Sequence, residues 1–302
     1  MNGLTAIPVE RRFPLDLATA IPALERLYET AKLDLWSPAD DVDWAGARLD
    51  AYSAEQREAA RRVWSRRAWL EYTGIEETPA LLLRFCLERD REVDAKFFLT
   101  VKNTEEAELV EAYYRYAEAL GGYAERPADP AWEQVINRGR ASQALAAETS
   151  LDGCVAANCA LEDGLELELC RAHLSRAREP LARALLERAI VVKTRHADFG
   201  WSYLEARAPA LAAAQRAAIE AALAAWLKEV AFAGYQVATL ATAIDSSPEQ
   251  AAQDLCAAAG LGAATASEEV ALFCAYLGSA RERLQRLGLA LPVAAHPRLG
   301  QL

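Results

Sequence analysis

Histidine is scarce in this chain: the 302 residues hold only His173, His196 and His296. That excludes a histidine-rich metal centre. The six cysteines, at 86, 154, 159, 170, 256 and 274, include no CxxC pair. They read as small buried hydrophobes, not as a zinc site or a disulfide framework. Lys and Arg form no cluster on one face and the net charge is −11, so nucleic acid and an anionic membrane surface are poor partners. No apolar run approaches the length of a membrane span. The opening MNGLTAIPVERRFPLDL lacks a signal-peptide core, and the expected location is the cytoplasm. No segment reads as a strand, and no short period repeats. What is present is ordinary globular composition, 53% hydrophobic and 25% charged, enough for a large core.

The text is helical almost throughout. Residues 1–17 read as extended or irregular, and ATAIPALERLYETAKL predicts a first short helix. Trp36 to Trp44 is a loop with turn chemistry and two aromatic anchors. Ser53 and Gln56 form a capping-box pattern that opens a long helix towards Glu88. A kink is expected around Gly74 and Pro79, because the proline removes the hydrogen bond to the Ile75 carbonyl. A second long helix spans about Val93 to Leu120 and stops at Gly121-Gly122. A third is expected at roughly Ala144 to Arg176, and Pro180 starts a fourth that continues to about Ala208. An Ala-rich helix (about 210–233), a short one opened by Ser247-Pro248 and a last one (about 267–287) follow. The expectation is one all-α domain over 1–302, with a four-helix core bundle at about 54–208, an added N-terminal helix, and C-terminal helices at about 210–290. The apolar stretch Ala210–Val230 leaves a face that one bundle does not bury, which predicts a homodimer.

Lys193 and His196 lie three apart in AIVVKTRHADFGWSYL, residues 189–204, and so project from one helix face. Glu76, Glu106 and Asp163 lie on the other three long helices. Glu106 follows Glu76 by 30 residues, and Lys193 follows Asp163 by 30. Two hairpins of equal span would bring these residues to one layer.

These segments resemble the ferritin-like di-iron carboxylate oxygenases, the group that includes ribonucleotide reductase small subunits and arylamine N-oxygenases. The similarity covers roughly residues 60–205, with a weaker echo at RLQRLGLALP. Its best segments are DAKFFLTVKNTEEAELVEAYYRY, where such families place Asp/Glu-Glu-x-x-His, and VKTRHADFGWSYL, where they place Asp-Glu-x-Arg-His-x-x-Phe-Gly. Arg195, His196, Phe199 and Gly200 match the second, and EDGLEL resembles the acidic entry on the third helix. The resemblance implies a ferritin-like bundle with carboxylates and two imidazoles facing inward. On it, Glu76, Glu106, Asp163 and His196 keep metal-ligand chemistry. Leu109 stands where the first His would be, and Lys193 stands where a bridging Glu would be. Glu77, Glu105 and Glu162 are neighbours that a shift of one residue would promote.

An ammonium at a bridging position repels a metal ion, and the loss of one imidazole removes a second ligand. The remaining carboxylates still repel one another, by roughly 4 kcal/mol for two unit charges 4 Å apart at an effective dielectric of ~20. Lys193 therefore reads as a built-in substitute for a metal cation, paired with Glu106 and one other carboxylate. Plainer readings stand beside this. Lys193 snorkels to solvent; His196 is an ordinary buried histidine; Glu105, Glu108 and Glu111 form a solvated face. Cys159 and Cys170 fill core, and His173 and His296 carry no pattern. Trp69, Tyr72, Tyr113 and Phe199 wall a pocket or are plain core.

Two functions follow. In the leading one the dinuclear site is lost or remodelled and no cofactor is held. The protein is then a binding or structural protein with a small-molecule ligand in the bundle core, or a metal-independent enzyme using Lys193 and Glu106. In the alternative, Glu76, Glu106, Asp163 and His196 hold iron or manganese, and the protein is an oxygenase acting on a small organic molecule with dioxygen. Iron storage fits less well, since the chain is longer than a minimal four-helix ferritin and carries fewer ligands.

Overall fold

The computed structural model describes residues 17–34, 36–88, 91–137 and 139–302. The expectation of an irregular segment at residues 1–17 lies outside them, Leu17 excepted. Local capping chemistry sets most helix starts. Helix α1 (Pro22–Leu33) has its proline in the first turn, where no amide hydrogen is needed. Helix α2 (Ala54–Leu87) opens on the expected capping box: Ser53 Oγ accepts from the Gln56 amide at 3.2 Å, and Gln56 Oε1 accepts from the Ser53 amide at 2.9 Å. Pro79 lies inside α2, and the helix continues through it. Helix α3 (Val93–Ala119) ends just before Gly121 and Gly122, whose φ angles of 131° and 110° suit a residue without a side chain.

The connection that follows carries two short helices that the sequence did not announce, α4 (Ala131–Ile136) and α5 (Arg140–Leu145). The third core helix does not begin at Ala144. Its first piece, α6 (Leu151–Cys154), starts under a cap from Ser150, whose hydroxyl accepts from the Gly153 amide at 3.1 Å. Between them the chain leaves the helix because Arg84 claims its carbonyls, donating to Ala144 and Ala146 at 2.7 Å each and to Thr149 at 3.0 Å. The helix then widens into a π-helical segment, Val155–Glu162, and returns to α-geometry as α7 (Asp163–Arg176). Helix α8 (Pro180–Arg207) is capped by Glu179, which accepts from the Ala182 amide at 2.7 Å. Helices α9 (Ala213–Ala225), α10 (Ser247–Ala259) and α11 (Ala266–Arg286) complete the set. Contrary to the strand-free expectation, Ala295–His296 (β1) and Gly300–Gln301 (β2) form a small antiparallel pair.

Helix α2 packs along α3, α7 along α8, and α3 against α8, so the four long helices form the bundle. Residues 88–92 and 177–179 join the two hairpins, and 120–150 make the one long crossover, a ferritin-like connectivity. Helix α1 lies on α3 and α8, α10 on α2, and α11 on α7. Gly200 lets α8 approach the π-helical segment: a Cβ there would stand 2.3 Å from the Ala160 nitrogen. The Tyr276 hydroxyl on α11 donates to the carbonyls of Leu161 (2.8 Å) and Ala160 (3.1 Å), which supports that segment from outside. The cysteines are free, and Cys154, Cys159, Cys170 and Cys256 are buried, as their reading as small hydrophobes expects. Among the described residues no helix is long and apolar enough to cross a membrane.

Candidate functional site

Along α2 the buried stripe runs Ala60, Trp64, Ala68, Glu71, Thr78, Leu81 and Phe85. Spacings of three and four carry Glu71 inward among them. Glu76 lies off this stripe and is exposed, so it does not join the inner layer; Glu71 does. On α3 the same rule turns Lys102, Glu105 and Glu106 inward, each at most 4% exposed. Glu105 therefore does not belong to a solvated face. Leu109, one turn on, is fully buried in an apolar cluster with Trp64 and Tyr113.

The layer is built on two ammonium groups. Lys102 Nζ lies 2.8 Å from Glu106 and 3.0 Å from Asp163. Lys193 Nζ lies 2.9 Å from Glu71 and 2.6 Å from Glu166. Lys193 is 4% exposed and does not snorkel. Its ion pairs are with Glu71 and Glu166, not with Glu76, Glu106 or Asp163 as the sequence led us to expect. Lys102 holds Glu106 and Asp163, and the sequence reading missed it. Its place on the buried stripe of α3 was the available signal. Lys102 and Glu105 repeat the three-residue spacing of Lys193 and His196. The pairs meet: Glu105 lies 3.0 Å from His196 Nε2, and Lys102 Nζ lies 3.4 Å from His196 Nδ1. Arg195 pairs with Glu105 and, at 2.7 Å, with Asp34.

Glycine and threonine seat Glu106. Thr78 Oγ1 donates to it at 2.9 Å, and a Cβ on Gly74 would come within 2.6 Å of its carboxyl carbon. Glu162 and Glu77 pair with Arg140, and these three residues line the same small cavity as Lys102, Glu106 and Asp163. Trp226 donates to Glu162 at 2.9 Å.

The electrostatics follow from burial and from five carboxylates (Glu71, Glu105, Glu106, Asp163, Glu166) facing three cations (Lys102, Lys193, Arg195). Burial pushes the Glu71 carboxyl up to about 7, against the pull of Lys193. It pushes Asp163 up to about 6, against Lys102 and Lys193. Burial alone would lower both lysines, but the surrounding carboxylates more than reverse it, Asp163 and Glu106 for Lys102, Glu166 and Glu71 for Lys193. Both ammoniums stay charged. Burial first, then the nearby Lys102, lowers His196 well below the usual imidazole range. A neutral His196 that donates from Nε2 to Glu105 presents Nδ1 as an acceptor to the Lys102 ammonium.

Between the two ammonium groups remains a cavity of about 30 Å³, bounded by both lysines and by Glu71, Glu106, Asp163 and Glu166. That is room for at least one water. Among the described residues no group of three or more His, Cys, Asp or Glu is arranged to hold a metal ion. A second cavity, of about 310 Å³, opens on the outer side of the Lys193–Glu71–Glu166 cluster. Trp69 and Tyr113 line it, whereas Tyr72 is exposed and Phe199 stacks on Phe98 in the core. His173, pattern-free in sequence, lines it too, 2.7 Å from Glu269. His296 is buried against the Leu240 carbonyl at 2.8 Å.

No protein-family profile matches the chain, and no curated protein matches it. Solved structures do. One variant of an R2-like ligand-binding oxidase with an aerobically reconstituted Mn/Fe cofactor superposes with a TM-score of 0.65 at 15% identity, over 86% of this chain and 93% of that one. Another R2-like ligand-binding oxidase, with its metal cofactor after photoconversion, gives 0.64 at 13% identity over 89% and 94%. A further Mn/Fe variant gives 0.64 at 16% identity over 86% and 96%. The chain therefore has the ferritin-like all-α bundle fold that these oxidases share.

A dinuclear metal centre does not fit the side chains as arranged. Each half of the layer already holds an ammonium between two carboxylates, and His196 offers Nδ1 to Lys102.

Proposed function

We propose that this protein is a ferritin-like relative of the di-iron oxygenases whose metal layer is filled by its own lysines and which binds a small organic molecule in the adjoining cavity without a dinuclear cofactor. One observation carries the reading: the two ammonium groups, Lys102 and Lys193, each held between two carboxylates at the centre of the bundle. Two positive charges on fixed stems give the acidic layer the counter-charge that two cations would otherwise supply. The cavity of about 310 Å³ falls in the size range of small-molecule sites and reaches the Lys193 cluster at its floor. Lys193 and Glu71 would be the polar groups that a ligand meets there. Because Glu71 is pushed up to about 7, it can exchange a proton near neutrality. Lys193 and Glu71 thus replace the Lys193 and Glu106 pair that the sequence suggested.

A second reading is supported by the fold neighbours, which carry Mn/Fe cofactors. Here iron or manganese would draw on Glu71, Glu105, Glu106, Asp163, Glu166 and His196, and both lysines would have to swing away. Metal analysis after aerobic loading with iron and manganese separates the two. Wild-type protein is expected to retain well under one metal per chain after desalting. Two tightly held metals per chain would overturn the leading reading. Exchanging both lysines for glutamate is expected to raise metal uptake above wild type.

A further inference from the structure

Arg66 and Arg67 sit on α2 at the wall of the larger cavity, and among the described residues no carboxylate lies within ion-pair distance of either. Arg66 donates to the carbonyls of Gly234 (2.7 Å) and Tyr235 (2.9 Å) and lies 4.5 Å over the Trp132 ring. Arg67 donates to the Gly262 carbonyl at 2.7 Å and lies 4.5 Å over Trp64. Elsewhere in the interior, guanidinium groups are neutralised. Arg84 pairs with Glu88, Arg91 with Asp152, Arg140 with Glu77 and Glu162, and Arg195 with Glu105. In a chain with net charge −11, carboxylates are the commoner partner, yet these two adjacent arginines lack one.

The surrounding acids supply only part of the missing charge: Glu249, whose charge acts on Arg66, also pairs with Arg62 at 3.4 Å. Glu71 and Glu166 are engaged by Lys193. Burial pushes Glu269 up to about 8 despite Arg67 and Arg66, so at neutral pH it is largely protonated beside His173. Burial also pulls Arg66 down to about 10, the direction expected of a guanidinium with too little compensating charge. Among the described residues, four buried nitrogens at this wall have no hydrogen-bond partner: Arg66 Nε, one terminal nitrogen of Arg67, Gln236 Nε2, and Nδ1 of His173, itself only 7% exposed; Gln236 Oε1, Thr239 Oγ1 and Glu249 Oε2 are unpartnered acceptors on the same lining. A protonated Glu269 donating to His173 Nε2 leaves Nδ1 as an N–H donor without an acceptor. Around Arg66, Arg67 and His173 the wall therefore presents N–H donors and positive charge, and Leu70, Leu169 and Tyr113 give the same cavity apolar surface.

We infer that this cavity takes a small organic anion, its carboxylate or phosphate group gripped by Arg66 and Arg67 and its apolar body lying towards Lys193. The inference rests on the small-molecule-binding reading above and adds the ligand's charge and the residues that select it. Guanidinium forks match both carboxylate and phosphate oxygens, so the two headgroups are separated by experiment.

The test is calorimetric titration of chelator-treated wild-type protein with benzoate, phenyl phosphate and the neutral benzamide, backed by thermal-shift assays. At least one of the two anions is expected to bind with a dissociation constant of about 1 mM or tighter, with benzamide at least about tenfold weaker. Whichever anion binds more tightly names the headgroup. Arg66→Gln and Arg67→Gln are each expected to weaken the anion about tenfold or more, the usual scale for losing a charged hydrogen bond. Arg67→Lys should recover part of the loss. Failure of both anions to bind, equal binding of benzamide, or unchanged affinity in both glutamine variants would overturn the inference. The comparison of anion with neutral isostere in wild type decides the matter even if a variant does not fold. Since these titrations use metal-free protein, metal uptake in the loading experiment would sink the metal-independent reading alone, and loss of anion preference would sink this inference alone.

Discussion

Arg67 and Glu71 are one helical turn apart on α2, yet they belong to regions that treat charge in opposite ways. In the inner layer every cation is matched: Lys102 by Glu106 and Asp163, Lys193 by Glu71 and Glu166, Arg195 by Glu105 and Asp34. At the cavity wall Arg66 and Arg67 are held by carbonyls and aromatic faces, with no ion pair among the described residues. A buried ion pair completed within the fold contributes mainly through what happens when one partner is lost. A cation left without a partner is a standing cost to the fold, and its retention points to a partner from outside. The two regions should therefore answer differently to the same kind of substitution.

The largest effect is expected in the inner layer. Lys102→Met leaves Glu106 and Asp163, with side chains 4% and 9% exposed, facing each other without a counter-charge. The expected loss is about 3–5 kcal/mol in urea unfolding near neutral pH. Lys193→Met should cost less, because Glu166 is 20% exposed and can hydrate. A loss below about 1 kcal/mol for Lys102→Met would mean that the layer is not held by its lysines.

Next in size is Gly74→Ala, which disturbs the inner layer without removing any charge. The new methyl would fall 2.6 Å from the Glu106 carboxyl carbon. Glu106 could swing away only by giving up Thr78 and Lys102. Alanine's better helix propensity returns up to about 1 kcal/mol, so a net loss of about 1–2 kcal/mol is expected in the same unfolding assay. A gain in stability would show that Glu106 is free to move.

How much of this was legible beforehand depended on whether the signal was local. The capping box at Ser53, the stop at Gly121-Gly122 and the start at Pro180 are local chemistry, and the helices they bound read correctly. The start of the third core helix did not, because Arg84, some 60 residues upstream, takes the carbonyls that would have continued it. The π-helical turn at Val155–Glu162 has no sequence signature; it lies where Gly200 presses α8 close and Tyr276 takes up two of its carbonyls. Of the residues singled out in the sequence, His196, Asp163, Glu106 and Lys193 lie in the buried layer. Glu76 was chosen for its interval of 30 residues from Glu106, an argument about depth along the bundle that ignores rotation about the helix axis. The apolar stripe Ala60, Trp64, Ala68, Leu81 and Phe85 would have selected Glu71, and its counterpart on α3 would have shown Lys102.

pH offers a subtler way to sharpen the contrast. Glu71 and Glu269 are raised in the fold, to about 7 and about 8, from an ordinary 4.5. Their contribution to stability is complete below 4.5 and is lost as pH rises through 7 to 8. His196 and His173 are lowered below 6.5 by burial. Their contribution is present above 6.5 and is lost as pH falls. Between 4.5 and 6.5 the two effects oppose each other; above 6.5 the carboxyl groups act alone, so stability should fall as pH rises towards 8, by at most about 1.4 kcal/mol per pH unit per group. Thermal unfolding between about pH 6 and about pH 9 should show the alkaline decline, and Glu269→Gln should flatten it. An alkaline limb unchanged in that variant would remove Glu269 from the account of the cavity wall.

The smallest effect is expected at the wall itself. Arg66→Gln gives up two bonds to carbonyls and the stacking over Trp132, together worth about 1–2 kcal/mol. It also removes a charge that burial disfavours and that Glu249 and Glu269 offset only in part, and that relief opposes the loss. The net change in urea unfolding, without added anion, should stay within about 1 kcal/mol. Added phenyl phosphate or benzoate, whichever binds, should then stabilise wild type more than the variant, since only wild type keeps the full grip and a ligand stabilises in proportion to its occupancy of the folded state. If Arg66→Gln instead costs as much as Lys102→Met, Arg66 is a structural strut for the Gly234–Tyr235 turn. The difference between a completed and an open cation site would then disappear.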